Sequence, residues 1–152
     1  MKIKPIHIII MCFCAIHFVM AQNPTEDLKK AEANFLQNPE NARNITLKIL
    51  EKNLNDEQRL KALFILTNTS NLTGRLADAI KYGNEGLLLA QKEKETLTEI
   101  KLYLILGNVY QSIPLNEKTK DYLNRAEKLA ITQKLPDSLR YIEGNIYYLK
   151  GM

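Results

Sequence analysis

The side chains best suited to catalysis are confined to the first 21 residues of this 152-residue chain. General acid–base catalysis near neutral pH most often uses histidine, and covalent catalysis needs a nucleophile such as an activated serine or cysteine. Both histidines, His7 and His17, and both cysteines, Cys12 and Cys14, lie in this segment. A mature chain that lacks the segment has neither an imidazole nor a thiol, so we expect no enzymatic activity.

Carboxylates are the main remaining groups for chemistry, and their clearest cluster is typical of a solvated turn. Three glutamates between positions 93 and 99 alternate with lysines: Glu93, Glu95 and Glu99 with Lys92, Lys94 and Lys101. Alternating charges of this kind favour a solvent-exposed segment. The spacing of the carboxylates matches no recognisable metal-binding pattern, and the sequence has no glycine-rich phosphate loop. We therefore expect no catalytic residue, no metal and no cofactor.

The first 21 residues have the three parts of a secretory signal peptide. Lys2 and Lys4 give a cationic start, an apolar run covers positions 6–21, and Ala21 is a small residue before Gln22. The run is shorter than the ~20 apolar residues that usually span a bilayer. We predict cleavage after Ala21 and a periplasmic or secreted protein of bacterial type. The alternative is an uncleaved N-terminus that anchors the chain to the inner membrane.

The net charge gives little support for nucleic-acid binding. The full chain has 21 basic and 17 acidic residues, but Lys2 and Lys4 belong to the predicted signal peptide. Residues 22–152 therefore carry 19 basic and 17 acidic side chains, a formal net charge of +2. The basic residues are scattered and balanced by acidic ones, so we expect no nucleic-acid partner.

Residues 22–152 have the hydrophobic periodicity of a single all-α domain. Apolar residues recur at helical spacing, as at Leu76, Ile80 and Leu87, and strand-like alternation is missing. Breaker residues divide the sequence into seven predicted helices, near 25–37, 40–54, 56–72, 76–92, 95–112, 116–133 and 136–150. Short connections imply that consecutive helices are antiparallel neighbours.

A short motif recurs along these helices. Gly-Asn-Val-Tyr at 107–110 returns 37 residues later as Gly-Asn-Ile-Tyr at 144–147, and Thr-Asn-Thr-Ser at 67–70 holds the corresponding place 40 residues earlier. The pattern Tyr103-x-x-Leu106-Gly107-x-x-Tyr110 resembles the first-helix signature of the tetratricopeptide repeat family. Small residues at the positions expected in second helices fit the same family, namely Ala79 and Ala126.

The resemblance implies a short α-solenoid of stacked antiparallel helical hairpins. Its close-packed repeat positions would be Tyr103, Leu106, Gly107, Tyr110, Ala126 and Ala79, with Gly144 and Tyr147 in an incomplete last repeat. The repeat spacing exceeds the usual 34 residues, so the turns or helices must be longer than in the plain family. The alternative is an ordinary irregular helical bundle.

The same resemblance implies a concave groove lined by the first helices of the hairpins. Asn68, Asn108 and Asn145 would occupy equivalent positions in it. On the same face, one or two turns earlier, stand Lys61, Phe64, Lys101, Leu104, Ser138 and Tyr141. An amide both donates and accepts hydrogen bonds, which suits the main chain of an extended peptide. The alternative is that these asparagines satisfy polar groups between the helices.

These features favour an exported protein-interaction or ligand-recognition module whose partner is a protein or peptide. One alternative is the N-terminal sensor region of a bacterial membrane-bound transcription regulator or sensor kinase. A second is a helical glycan-binding lipoprotein, although Met11 and Phe13 precede the two cysteines where a lipoprotein signal needs a small residue. Because no second helix follows 136–150, we also expect exposed apolar surface there, with self-association or fraying through residues 136–152.

Overall fold

The structure, a computed structural model, describes residues 23–113 and 116–151, and these residues contain helices and no strand. The helices are α1 (Pro24–Asn34), α2 (Pro39–Leu50), α3 (Asp56–Leu72), α4 (Leu76–Glu93), α5 (Thr96–Gln111), α6 (Asn116–Gln133) and α7 (Tyr141–Lys150), with a short 3-10 helix at Asp137–Leu139. The all-α prediction is confirmed. The predicted signal peptide lies outside the described residues.

Asparagine side chains fix the starts of the first three helices. Asn23 and Asn38 each accept a hydrogen bond from a backbone amide in the first turn, and a proline follows each of them. Asn55 forms a reciprocal pair with Gln58, in which the Asn55 side chain accepts from the Gln58 amide at 2.8 Å and the Asn55 amide donates to Gln58 Oε1 at 3.2 Å. These bonds satisfy amides that have no partner within the helix, so they set where each helix begins.

The predicted ends of the first two helices are wrong. α1 ends at Asn34 instead of near residue 37. α2 ends at Leu50 instead of near residue 54. Asn55, whose side chain caps α3, favours the early end, since asparagine side chains compete for backbone hydrogen bonds and favour turns and caps over helix interiors. The chain uses Asn55 to begin α3.

The predicted helix 136–150 is also wrong over its first turn. It starts as the 3-10 helix Asp137–Leu139, and α7 begins only at Tyr141. The residue at the N-cap of α7 is Arg140, which makes no side-chain capping bond, so no local signal fixes an earlier α-helical start. Ser138, which was expected on the groove face of a continuous helix, lies in the 3-10 helix instead.

The helices stack as antiparallel hairpins in a repeat-like array. Each helix packs against the next one along the chain, and the odd-numbered helices also contact one another, α1 with α3, α3 with α5 and α5 with α7. Within the described residues, the backbones of the even-numbered helices make no such contacts with one another. The odd-numbered helices therefore form the closer-packed layer, as in a short solenoid.

Helix α5 is the interior helix of the array. It contacts α3, α4, α6 and α7, and half of its residues are buried: Ile100, Leu102, Tyr103, Leu104, Leu106, Gly107, Val109 and Tyr110. Apolar residues cover most of its circumference because neighbours surround it. This agrees with the near-continuous apolar sequence of this segment.

Glycines allow α5 to lie close to both of its neighbours. A Cβ added to Gly83 of α4 would lie 2.7 Å from Leu106 Cδ2, and one added to Gly107 of α5 would lie 2.8 Å from Leu123 Cδ2 of α6. Such distances are too short for real Cβ contacts, so only glycine fits without a shift of the leucine. Each glycine thus receives a leucine from the helix that follows it.

Candidate ligand-binding groove

A cleft of about 390 Å³ lies along the layer of odd-numbered helices. Its walls come from α1, α3 and α5, with the α4–α5 connection at one end. The lining residues are Glu32, Glu57, Leu60, Lys61, Phe64, Glu93, Glu95, Thr98 and Lys101. Lys61 and Lys101, which the sequence placed at equivalent positions of successive repeats, therefore line one cleft together with Phe64.

The charges in the cleft are mainly acidic. Four carboxylates and two lysines line it. Lys61 Nζ lies 2.5 Å from Glu32 Oε2 across the α1–α3 contact, and Glu93 lies 3.2 Å from Lys92 outside the cleft. No carboxylate in the described part of the chain lies within 4 Å of Lys101 Nζ. The cleft therefore combines an apolar floor at Leu60 and Phe64 with a charged rim.

The three asparagines of the expected groove have different environments. Asn68 is half-buried, and its Nδ2 donates to the carbonyl of Phe64 in the same helix at 3.1 Å. Asn108 is half-buried and Asn145 is exposed. Among the described residues, the side-chain amides of Asn108 and Asn145 form no hydrogen bond with another protein group. The Asn68 bond lies within one helix and does not join two helices.

The groove residues from α7 do not line this cleft. Tyr141 and Asn145 are both exposed, and the residues that line the cleft come from other helices. The structure thus brings together Lys61 and Lys101, and places Asn68, Asn108, Tyr141 and Asn145 outside the lining of the cleft.

The repeat positions of α4, α5 and α6 are buried. Ala79 and Ala126 are fully buried. The ring of Tyr110 stacks on that of Tyr122 with centroids 5.4 Å apart, and Tyr103 lies 5.8 Å from the same ring. Ala126 belongs to the same apolar cluster as Tyr103, with Tyr122 packed against it, so a small residue and large rings share this contact between α5 and α6.

Hydrogen bonds hold two of these tyrosines against α4. Gln91 Nε2 donates to Tyr103 Oη at 3.0 Å, and Tyr122 Oη donates to Asn84 Oδ1 at 3.1 Å. Burial raises the pKa of the Tyr103 phenol, and it raises the pKa of the Tyr122 phenol as well. Both phenols therefore favour the neutral form in the folded chain.

The last repeat lacks the close contact found at Gly107. An added Cβ at Gly144 would meet no heavy atom within 4 Å, and Tyr147 is exposed where the equivalent Tyr110 is buried. The close-packing role expected for Gly144 and Tyr147 is therefore not seen within the described residues.

Sequence reasoning missed several residues that shape the groove and its support. Glu32 and Glu57 reach the cleft from α1 and the start of α3, which only the tertiary arrangement reveals. Gly83 and Gly86 receive Leu106 and Leu102 of α5. Two glycines inside a predicted helix were an available signal, because glycine in a helix interior is costly unless packing requires it.

Within residues 23–113 and 116–151, no group of three histidine, cysteine, aspartate or glutamate side chains is arranged to hold a metal ion. No helix in the same described ranges has both the length and the apolar character needed to cross a membrane.

Comparison of the chain with protein-family models, curated proteins and solved structures gave no significant match.

Proposed function

We propose that this chain is an exported, tetratricopeptide-like repeat module that binds an extended segment of another protein and performs no chemistry of its own. The cleft carries the proposal, because residues at equivalent positions of successive repeats, Lys61 and Lys101, line one open depression with Phe64 between charged rims. A stacked array of helices supplies a continuous surface for an extended ligand.

The chemistry of the cleft defines the ligand that fits it. Leu60 and Phe64 offer apolar surface, and the surplus of carboxylates over lysines favours a cationic partner. Glu57 and Glu95 have no cationic side chain within 4 Å in the described residues, so a lysine or arginine of the ligand could pair with them. The expected ligand is therefore an extended peptide that carries basic and apolar side chains.

The half-buried Asn108 supplies the second part of the proposal. Its amide has both a donor and an acceptor, which is what the main chain of an extended peptide requires. Asn108 lies two turns beyond Lys101 on the same helix, so a peptide that leaves the cleft along α5 passes over it. We propose that Asn108 binds the peptide backbone and that the cleft selects its side chains.

A peptide selection tests this function. Peptides selected from a random display library on the purified protein should be enriched in basic and apolar residues, and their dissociation constants can be measured by calorimetry. Phe64→Ala and Asn108→Ala should each weaken binding about tenfold or more, which corresponds to roughly 1.4 kcal/mol. Asn124→Ala, at an exposed position of α6, is the matched control and should bind normally.

The proposal fails if no peptide is selected, or if the groove variants and the Asn124→Ala control bind equally well. Circular dichroism on each variant separates loss of binding from loss of fold.

Export has its own test. We expect the protein recovered from the periplasm to begin at Gln22, so its intact mass should lack residues 1–21. A full-length mass found only in the membrane fraction would support the uncleaved anchor instead.

A further inference from the structure

The charged side chains that line the cleft differ in whether the protein already pairs them. Lys61 is neutralised by Glu32 at 2.5 Å, and Glu93 lies 3.2 Å from Lys92. In the described part of the chain, the other charged residues of the lining have no oppositely charged side chain within 4 Å: Glu57, Glu95 and Lys101. The cleft therefore offers both signs of charge to a ligand.

The two available carboxylates lie at the same end of the cleft. Glu57 is in the first turn of α3, and Glu95 immediately precedes α5. Helices α3 and α5 contact each other and run in the same direction, because each belongs to the same side of successive hairpins. Both carboxylates are exposed, and the Glu95 side chain makes no capping bond to α5. They are therefore placed to pair with one cation.

Lys101 lies further along the same cleft. It is six residues beyond Glu95 and half-buried, and six residues correspond to about 9 Å along a helix axis. Because helical side chains tilt towards the amino-terminal end, the stem of Lys101 shortens this separation. Leu60 and Phe64 add apolar surface to the same lining. The cleft thus has an acidic end and a basic position, with apolar surface beside them.

We propose that the cleft recognises a pair of opposite charges in the bound peptide. A lysine or arginine of the peptide pairs with Glu57 and Glu95, and an aspartate or glutamate of the peptide pairs with Lys101. This inference rests on the proposed function, since it takes the ligand to be an extended peptide. Side chains on one face of an extended chain are two residues apart and about 7 Å from each other. The two charged residues of the peptide are therefore separated by one residue.

The apolar surface and Lys101 together explain why this pattern fits better than a purely basic segment. A lysine or arginine can lay its aliphatic stem on Leu60 and Phe64 while its charged end reaches the carboxylates. A second basic residue two positions away would lie beside Lys101, where like charges repel. An acidic residue at that position gains an ion pair instead. Lys101 is thus the residue that sets the specificity of the second position.

Selections on variants of Lys101 test the inference. The probe is a library of random segments displayed as an internal loop of a carrier protein, so that neither peptide terminus is free. On the unmodified protein, the selected segments should carry an acidic residue two positions from a basic one. On Lys101→Glu, a second basic residue should replace the acidic one. On Lys101→Gln, this position should lose its preference for charge.

A charge swap in solution measures the size of the effect. When the acidic residue of a selected, terminally blocked peptide is replaced by lysine, the dissociation constant for the unmodified protein should rise at least about tenfold. Lys101→Glu should recover most of that loss. Lys120→Glu, at an exposed position of α6, makes the same change of net charge outside the cleft and should recover none of it. Circular dichroism on each variant verifies the fold.

Two outcomes would overturn this inference and leave the proposed function standing. In the first, the selected peptides need Phe64 and Asn108 for binding and have no acidic residue two positions from a basic one. In the second, their acidic residue is as favourable on Lys101→Glu as on the unmodified protein. Failure to select any peptide would overturn the proposed function and this inference together.

Discussion

Helices α5 and α7 contain nearly the same motif and have opposite surroundings. In α5, Gly107 is pressed by Leu123 and Tyr110 is buried under the ring of Tyr122. In α7, a Cβ added to Gly144 would have no heavy atom within 4 Å, and Tyr147 is exposed. The difference lies in the neighbours: Leu123 and Tyr122 of α6 pack against the α5 motif, and no heavy atom of a neighbouring helix lies within 4 Å of a Cβ added to Gly144.

The same four-residue motif is therefore buried or exposed according to which helices pack against it. A helix in a stacked array obtains its stability from its neighbours as well as from its own sequence. Identical residue types should therefore contribute very differently to the free energy of unfolding in the two helices. Substitutions made in pairs at equivalent positions measure that difference.

The largest difference is expected for the tyrosine pair. Tyr110→Ala removes a buried ring and its stack on Tyr122, and should lower the free energy of unfolding by about 3 kcal/mol. Tyr147→Ala removes a ring that is nearly half exposed, and should cost less than about 1 kcal/mol. Urea denaturation of both variants checks this, and similar losses for the pair would show that α5 and α7 are equally covered.

The glycine pair gives the next largest difference. Gly107→Leu forces new side-chain atoms against Leu123 and should destabilise the fold by about 2 kcal/mol, within the range for overpacked contacts. Gly144→Leu meets open space and should be neutral or stabilising by up to about 1 kcal/mol, because leucine is a better helix former than glycine. A destabilising Gly144→Leu would mean that the space beside Gly144 is already filled.

The smallest expected effect concerns alkaline pH. Because burial raises the pKa of Tyr103 and of Tyr122 above the usual 10.0, the folded state holds these protons more tightly than the unfolded state does. The stability that this contributes is fully present below about pH 10 and is lost as the pH rises through the folded-state pKa values.

The double variant Tyr103→Phe/Tyr122→Phe should therefore lose less stability than the unmodified chain when the pH is raised above 10. Denaturation midpoints measured across that range test this, with Tyr148→Phe, at an exposed position of α7, as the control for losing an exposed phenol. A double variant as sensitive to alkali as the unmodified chain would place the cause elsewhere.

Most of the helical fold could be predicted from the sequence because its signals are local. Pro39 and Gly74 mark helix boundaries, and the apolar period of 96–111 marks an interior helix; the structure agrees at each place. The failures are at the ends of α1 and α2, Asn34 and Leu50, and at the start of α7, Tyr141. Such boundaries depend on small energy differences between nearby conformations.

The candidate site was less accessible to sequence reasoning because it is assembled from distant segments. The spacing of the motif placed Lys61 and Lys101 on one predicted face, and both line the cleft. No local pattern could show that Glu32 and Glu57 line it too. Likewise the sequence around Gly144 is nearly that of Gly107, so its open surroundings follow only from the position of α7 in the stack.

Native-state hydrogen exchange tests most directly whether α7 is an α5-like helix that lacks its cover. On a sample shown to be monomeric by sedimentation, amides of 141–150 should exchange through openings of clearly lower free energy than amides of 96–111, which should approach the global free energy of unfolding. Equal protection of the two helices in the free monomer would contradict the account.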